Sequence, residues 1–231
     1  PVYDSKTKML FPRMWSSDER HRDFYDWYVY DGASRPRSVN VDGRSYEVPT
    51  MGQNLKYFFG YQLNWMYWRY FMWNFVGRQN DIHSPVPGDP FKGNWESGVG
   101  FIDRLMLGDQ RDAPEALLNN PGKNHYFFLP LLLGLIGLLF QSFRDKRGAW
   151  VTFLLFFMTG IAIVIYLNQP PYQVRERDYA YAGSFYAFSI WIGLGVAALA
   201  GWVNEKLGSG TARVGGSLAV SLLCMGVPVL M

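Results

Sequence analysis

The sequence has a single cysteine among its 231 residues. Cys224 therefore has no partner for a disulfide within the chain, and a zinc site built from several cysteines is excluded. Because Cys224 lies in an apolar run, we predict that it is a small buried apolar residue. No basic stretch followed by an apolar core is found near Pro1, so no signal peptide is predicted. The sequence begins at Pro1 and ends inside an apolar run, and we expect it to be an internal part of a longer protein.

Charged side chains are missing from four long apolar runs in the second half of the chain. The runs cover residues 126–143, 149–167, 184–203 and 214–231. Each has ~18 residues or more, about the length that crosses the hydrocarbon core of a bilayer as a helix. We therefore predict a mainly α, integral membrane fold with a bundle of four transmembrane helices over residues 125–231. Small residues within the runs would let helices approach closely: Gly134, Gly137, Gly193, Gly195 and Gly201.

Residues 1–124 have a different composition, polar and aromatic with frequent glycine and proline. We predict a non-cytoplasmic, water-facing region of mixed structure. Within it, alternating valines on both sides of Asp42-Gly43 indicate a small β-hairpin over residues 37–48. Short helices are predicted around residues 99–107 and after Pro114, since proline suits the first turn of a helix.

Residues 51–77 carry an unusual density of aromatic side chains, eleven between Tyr57 and Phe75. Tyrosine and tryptophan favour the headgroup level of a bilayer, where the ring is buried and its polar tip stays wet. This composition favours an amphipathic helix lying along the membrane surface. Packing against the water-facing region and a true span are the two alternatives. The side chains predicted to meet the membrane interface are Trp65, Tyr67, Trp68 and Trp73.

Charges in the connectors between the runs predict the orientation of the chain. Residues 144–147 contain three basic side chains, and residues 204–213 contain two. Both connectors lie on one side if all four runs cross, and the excess of basic residues marks that side as cytoplasmic. Residues 1–124 and 168–183 are then on the non-cytoplasmic side.

The connector 168–183 has the densest charge in the sequence, because Arg175, Glu176, Arg177 and Asp178 follow one another. Tyr179 comes next. Arginine binds phosphate oxygens with two parallel hydrogen bonds and stays charged when partly buried. We predict that residues 175–179 face a lipid phosphate or pyrophosphate, with Glu176 and Asp178 either orienting the guanidinium groups or acting as acid or base. The alternative is a connector whose charges neutralise one another and contribute little, since exposed ion pairs are weak.

Three segments, residues 7–16, 107–138 and 168–195, resemble the DUF2723 family of multi-spanning bacterial membrane proteins, described as protein O-mannosyltransferase-like. The resemblance implies a C-type glycosyltransferase in the bacterial inner membrane, with residues 1–124 and 168–183 on the periplasmic side. It implies transfer of a sugar, with mannose suggested by the family's description, from a polyprenyl-phosphate donor to a protein or glycan. Residues 175–179 would face the donor.

No catalytic residue is predicted, because the catalytic acid of such enzymes lies near the start of the full protein. Asp18, Glu19 and Asp178 match no such position. Membrane lipids, the lipid-linked sugar donor and the protein or glycan acceptor are the expected partners; no nucleic acid, metal or further cofactor is expected. A membrane transporter and an envelope-assembly scaffold are the alternative functions. Transporters often place ionisable residues inside their spans, and these four runs have none.

Overall fold

The computed structural model describes residues 4–14, 16, 18–30, 35–111, 113–207 and 210–229, and these are mainly helical. The α-helices are α1 (Glu19–Tyr25), α2 (Met51–Tyr57), α3 (Arg69–Phe75), α4 (Gly100–Leu107), α5 (Glu115–Leu118), α6 (Leu129–Arg144), α7 (Lys146–Thr159), α8 (Ile161–Leu167), α9 (Ala182–Lys206) and α10 (Thr211–Val229). Wider π-helical turns cover Asp26–Tyr30 and Phe58–Trp68, and short 3-10 helices cover Ser5–Thr7 and Asp178–Tyr181.

Two small antiparallel sheets lie in the first half of the chain. Strands β1 (Arg37–Val41) and β2 (Arg44–Val48) form a hairpin. Asp42 and Gly43 both have positive φ, 49° and 77°, as a two-residue turn requires. The predicted hairpin is confirmed. Strands β3 (Gly77–Arg78) and β4 (Asn124–His125) pair over two residues.

Residues 51–75 form one continuous helix made of α2, the π-helical turns and α3, which we call the aromatic helix. Thr50 begins it with a capping box, in which its side chain accepts from the Gln53 amide and Gln53 reaches back. Tyr57, Tyr61 and Tyr70 have no exposed surface. The helix therefore passes through the core of the protein.

Protein covers the aromatic helix on two sides. The Phe24 ring from α1 packs on Tyr61, and Phe188 from α9 packs on Phe71 and Phe75. Among the side chains predicted to meet the membrane interface, Trp65, Tyr67 and Trp73 are buried, whereas Trp68 is 42% exposed. The interface role stays a prediction. Of the four side chains, Trp68 is the one with the exposed surface that such a role requires.

Two helical stretches are long and apolar enough to cross a membrane. They are Lys146–Leu167, with 22 residues and a mean hydropathy of 2.3, and Asp178–Lys206, with 29 residues and a mean hydropathy of 1.7. Only 17% and 22% of their most apolar windows are buried inside the protein, so much of this apolar surface faces outward. A helix in the core of a soluble protein would be mostly buried.

The prediction of four transmembrane helices is thus supported for two of the four runs. The first run, 126–143, yields the 16-residue helix α6, because Phe127 and Phe128 have left-handed φ values of 51° and 61° and delay its start. It ends at Asp145, whose carboxylate instead caps α7 by accepting from the Gly148 amide. The last run, 214–231, lies mostly in α10, within which Ala212–Gly226 is the apolar stretch whose side chains the structure describes, and residues 230 and 231 lie outside the described chain.

The second run, 149–167, is interrupted at Gly160, which separates α7 from α8. Gly160 has φ −116° and ψ −91°. A Cβ atom there would lie 2.6 Å from Ser184 Oγ and 2.7 Å from Tyr67 Oη, two atoms that are hydrogen-bonded to each other at 2.7 Å. The absence of a side chain at residue 160 therefore lets the broken helix pack against this polar pair.

Helices α6 and α9 touch through their backbones. A Cβ on Gly137 would collide with the Trp191 carbonyl, and one on Gly195 would collide with the Leu133 carbonyl. The Phe188 ring covers Gly134. Close helix approach, predicted for five glycines, is confirmed for these three. Gly193 and Gly201 have no atom within 4 Å of a would-be Cβ.

Candidate functional site

The charged connector is fixed to the aromatic helix through the carboxylate of Glu176. Its Oε2 atom accepts from Arg69 Nη2 at 2.7 Å and from the Tyr70 hydroxyl. Its Oε1 atom accepts from the Ser84 amide at 3.0 Å and lies 3.1 Å from His83 Nδ1. Four separate groups thus surround one carboxylate, which is only 18% exposed.

Arg69 is the buried cation of this cluster, with a side chain that is 2% exposed. Its Nη1 donates to the Gly93 carbonyl at 2.7 Å, and its Nε donates to the Trp65 carbonyl at 3.1 Å. The guanidinium also lies 4.2 Å from the ring centroid of Trp65 and 4.7 Å from that of Trp73. Each of its nitrogen atoms has a partner, and the aromatic rings exclude water from the pair.

Burial by itself raises the pKa of Glu176, but the positive charge of Arg69 and the hydrogen bonds from Arg69, Tyr70 and the Ser84 amide outweigh it. The net pKa of Glu176 lies below its ordinary value. The carboxylate is therefore ionised at neutral pH and acts as the counter-ion of Arg69. Glu176 anchors the connector, a role that the sequence analysis did not assign to it.

Further hydrogen bonds attach other points of the connector to the same scaffold. The Gln169 carbonyl accepts from Tyr57 Oη at 2.8 Å and from Gln62 Nε2 at 3.0 Å. The Gln173 carbonyl lies 2.8 Å from His83 Nε2. These bonds fix the main chain of the connector and leave several of its side chains facing outward.

The outward-facing side chains include Arg175, Asp178 and Tyr179, all exposed. Arg175 forms no hydrogen bond or ion pair with any residue that the structure describes. Of the five residues predicted to bind phosphate, these three and Arg177 lie at the surface or near it, and Glu176 points inward.

Arg177 and Tyr181 each carry a buried hydrogen-bond donor that lacks a partner among the described residues. The two atoms are Arg177 Nε and the Tyr181 hydroxyl, and Tyr181 has no exposed surface. Arg177 immediately precedes the 3-10 helix Asp178–Tyr181, and Tyr181 ends it. Both groups can donate to an acceptor, and buried donors are normally paired.

Sequence reasoning missed Arg69, Tyr70 and His83 as part of this cluster. A signal for Arg69 was present, because it is the only charged residue between Tyr57 and Phe75. A cation placed among eleven aromatic residues needs a buried acid as partner. The two ring nitrogens of His83 contact Glu176 and the Gln173 carbonyl.

A cluster of metal ligands is not found within the described ranges, where no three histidine, cysteine, aspartate or glutamate side chains come together in a way that could hold an ion.

Comparison with protein families matches residues 1–59 to a family of unknown function, DUF8416. The resemblance to the DUF2723 family is wrong by this comparison, and nothing found supports a mannosyltransferase-like family. The matched part ends inside the aromatic helix and is about a quarter of the chain, too little to assign the whole chain to DUF8416. Neither the search of curated proteins nor that of solved structures finds a match.

Proposed function

We propose that this protein binds the phosphate group of a membrane lipid at the connector, with Arg177, Arg175 and the Tyr181 hydroxyl as donors. The observation that carries the proposal is the pair of buried, unpartnered donors, Arg177 Nε and Tyr181 Oη. A phosphate oxygen accepts from several donors at once and carries the charge that a guanidinium favours. A neutral acceptor would use the hydroxyl without using the charge.

The same residues lie at the headgroup level if α9 crosses a membrane. The candidate span Asp178–Lys206 begins one residue after Arg177.

We propose that α6 and α10 also cross, as parts of a four-helix bundle. Helix α6 lies against α9 at Gly137 and Gly195, but its 16 residues extend only ~24 Å. The basic connector at residues 144–147 favours an inner membrane in which residues 1–124 and 168–183 face the periplasm.

A narrower proposal is that the lipid is a polyprenyl-phosphate sugar and that the protein transfers its sugar to a protein or glycan. Cationic donors at the phosphate would then stabilise the charge that develops as this group leaves. No acid in the connector is assigned as a catalytic base, because Glu176 is held by Arg69. A lipid transporter would use the same phosphate contacts without sugar transfer.

The test measures binding of a polyprenyl phosphate to the detergent-purified full chain by native mass spectrometry. The same polyprenol without phosphate measures the contribution of the isoprenoid chain. We expect Arg177→Gln to weaken binding of the phosphate form by about tenfold or more, because a charge-assisted hydrogen bond contributes ~1.5–3 kcal/mol. Binding of the unphosphorylated polyprenol should stay unchanged.

Arg147→Gln is the matched control, because it removes the same charge from the connector predicted to be on the opposite side of the membrane. Equal losses in both variants, or equal binding of the two lipids, would disprove a phosphate site at Arg177. Inorganic phosphate that competes as well as the lipid would show that the site takes free phosphate. Release of labelled sugar from the donor, measured with the native chain, separates transfer from binding alone.

A further inference from the structure

We infer that α4 (Gly100–Leu107) lies in the membrane surface, with its apolar side in the boundary between lipid headgroups and acyl chains. The sequence predicts a membrane-surface position for the aromatic helix. The present inference concerns α4, which is a separate helix. The inference rests on the proposal that α9 crosses the membrane. It does not depend on phosphate binding by the connector.

The outward side of α4 carries large apolar side chains. Phe101 is 79% exposed, Leu105 is 77% exposed and Met106 is 51% exposed. Phe101 and Leu105 are four positions apart, so they lie on the same face of the helix. A cluster of this kind on a short helix is an interaction surface, since single exposed apolar residues are common and adjacent ones are not.

Hydrogen bonds fix which side of α4 faces the protein. The Asp103 carboxylate accepts from the Ser97 amide and hydroxyl, both at 2.7 Å, and from the Gly98 amide at 2.8 Å. Leu107 is buried beside it on the inner side. Asp103 is therefore turned inward with both carboxylate oxygens hydrogen-bonded, so the acidic side chain of the helix is kept away from the exposed side.

The depth of α4 follows from the chain that holds it. The Phe127 amide, two residues before α6 begins, donates to the Ser97 carbonyl at 3.0 Å. The Tyr126 amide donates to the Val76 carbonyl at 2.9 Å. The adjacent Phe75 ring lies 4.6 Å from that of Phe188 in α9. The start of α4 is thereby held by the residues just before α6, and these contact the end of the aromatic helix, which packs on the second turn of α9.

Apolar exposed surface continues from α4 onto the start of α6. Phe127 is 53% exposed, and Leu129 and Leu132 are 43% and 51% exposed. Arg104 is exposed on α4 between the apolar residues, and a long basic side chain can place its charge among headgroups while its stem stays in the apolar layer. A lipid surface matches this combination of apolar area, one cation and a depth level with the beginning of a span.

The experiment places a fluorescent probe at single cysteines in a Cys224→Ser background of the full chain. The labelled positions are Leu105→Cys in α4, Ile190→Cys in α9 as the lipid reference, and Asn40→Cys in the hairpin as the water reference. Each protein carries the environment-sensitive dye NBD and is placed in phosphatidylcholine–phosphatidylglycerol nanodiscs. The nanodiscs are made without a quencher, with lipids that carry a quenching doxyl group near the headgroup, and with lipids that carry it near the middle of the acyl chain.

We expect the probe at residue 105 to emit at shorter wavelength than the probe at residue 40 and to lose at least half of its intensity with doxyl lipid. The probe at residue 40 should be unaffected. Quenching at residue 190 without quenching at residue 105 would overturn the placement of α4. No quenching at either position would overturn the membrane placement of α9, on which the inference rests. Met106→Cys repeats the measurement on the same exposed side.

Discussion

The aromatic helix and α9 are neighbouring long helices with opposite surroundings. Polar side chains of the aromatic helix are buried, with Asn54, Gln62 and Arg69 at 0%, 1% and 2% exposure. In α9, large side chains point outward: Tyr186 is 71% exposed and Trp202 is 55% exposed. One helix is enclosed by protein, and the other leaves much of its apolar surface outside.

This difference shows that polar partners identify a core helix better than aromatic content does. The side-chain Oδ1 of Asn54 accepts from the Arg13 amide at 2.6 Å, and the Gln62 side chain accepts from Arg13 Nε at 2.8 Å. Arg13 also donates to two carbonyls at the end of α8, those of Val164 and Ile165. Asn54, Gln62 and Arg69 thus each have a partner from a distant segment, which lipid could not supply.

Removing the buried cation should have the largest effect on this arrangement. In Arg69→Met the Glu176 carboxylate loses its counter-ion while its burial is retained. We expect a cost of about 3–5 kcal/mol, the range for breaking a buried ion pair by deleting one partner. Thermal unfolding in detergent, followed by tryptophan fluorescence, should show a much lower melting temperature or no folded protein.

Arg175→Met is the matched control for that change, because it removes the same side chain from the exposed part of the connector. Its melting temperature should equal that of the native chain within error. If the two variants melted alike, the ion pair of Arg69 and Glu176 would not be what holds the connector.

A smaller effect is expected where α9 meets its other neighbour, α6. Gly137→Ala places a methyl group against the Trp191 carbonyl, and overpacking of this kind costs ~1–3 kcal/mol. Gly193→Ala adds the same methyl group at a position with no atom within 4 Å. Detergent melting curves should therefore show destabilisation for the first variant only. Equal curves would mean that the two helices move apart without cost.

The parts of the fold that were predicted correctly depend on local patterns. The hairpin over residues 37–48 follows from Asp42-Gly43, and α4 and α5 lie where residues 99–107 and Pro114 predicted them. The four apolar runs became helices, but their lengths were not predictable from hydropathy. Left-handed φ values at Phe127 and Phe128 and the break at Gly160 depend on tertiary contacts, such as the Tyr67–Ser184 pair.

The site could be predicted only in part for the same reason. The cluster of charges at residues 175–178 was recognisable, whereas its division into an inward Glu176 and an outward Arg175 depends on Arg69, more than one hundred positions earlier. The spacing of residues along the sequence does not show which distant residues are in contact in the fold. The unpartnered donors Arg177 Nε and Tyr181 Oη are likewise visible only once neighbouring groups have coordinates.

The smallest predicted effect is a pH dependence that belongs to Glu176. Its pKa in the folded chain lies below 4.5, the value for a free glutamate side chain. Because ionised Glu176 is favoured by folding, its contribution to stability is fully present above the unfolded pKa and is lost as the pH falls through the lower, folded pKa.

Comparing the melting temperature of the native chain with that of Glu176→Gln isolates this contribution from other acids, such as Glu96, whose pKa is also lowered. The difference between the two proteins should stay constant from about pH 7 to pH 5 and should shrink below about pH 4.5, as expected for a carboxylate with a depressed pKa. A difference that grew on acidification would mean that Glu176 is protonated in the folded protein. The connector would then be held by hydrogen bonds to a neutral acid, and the positive charge of Arg69 would be left without a counter-ion.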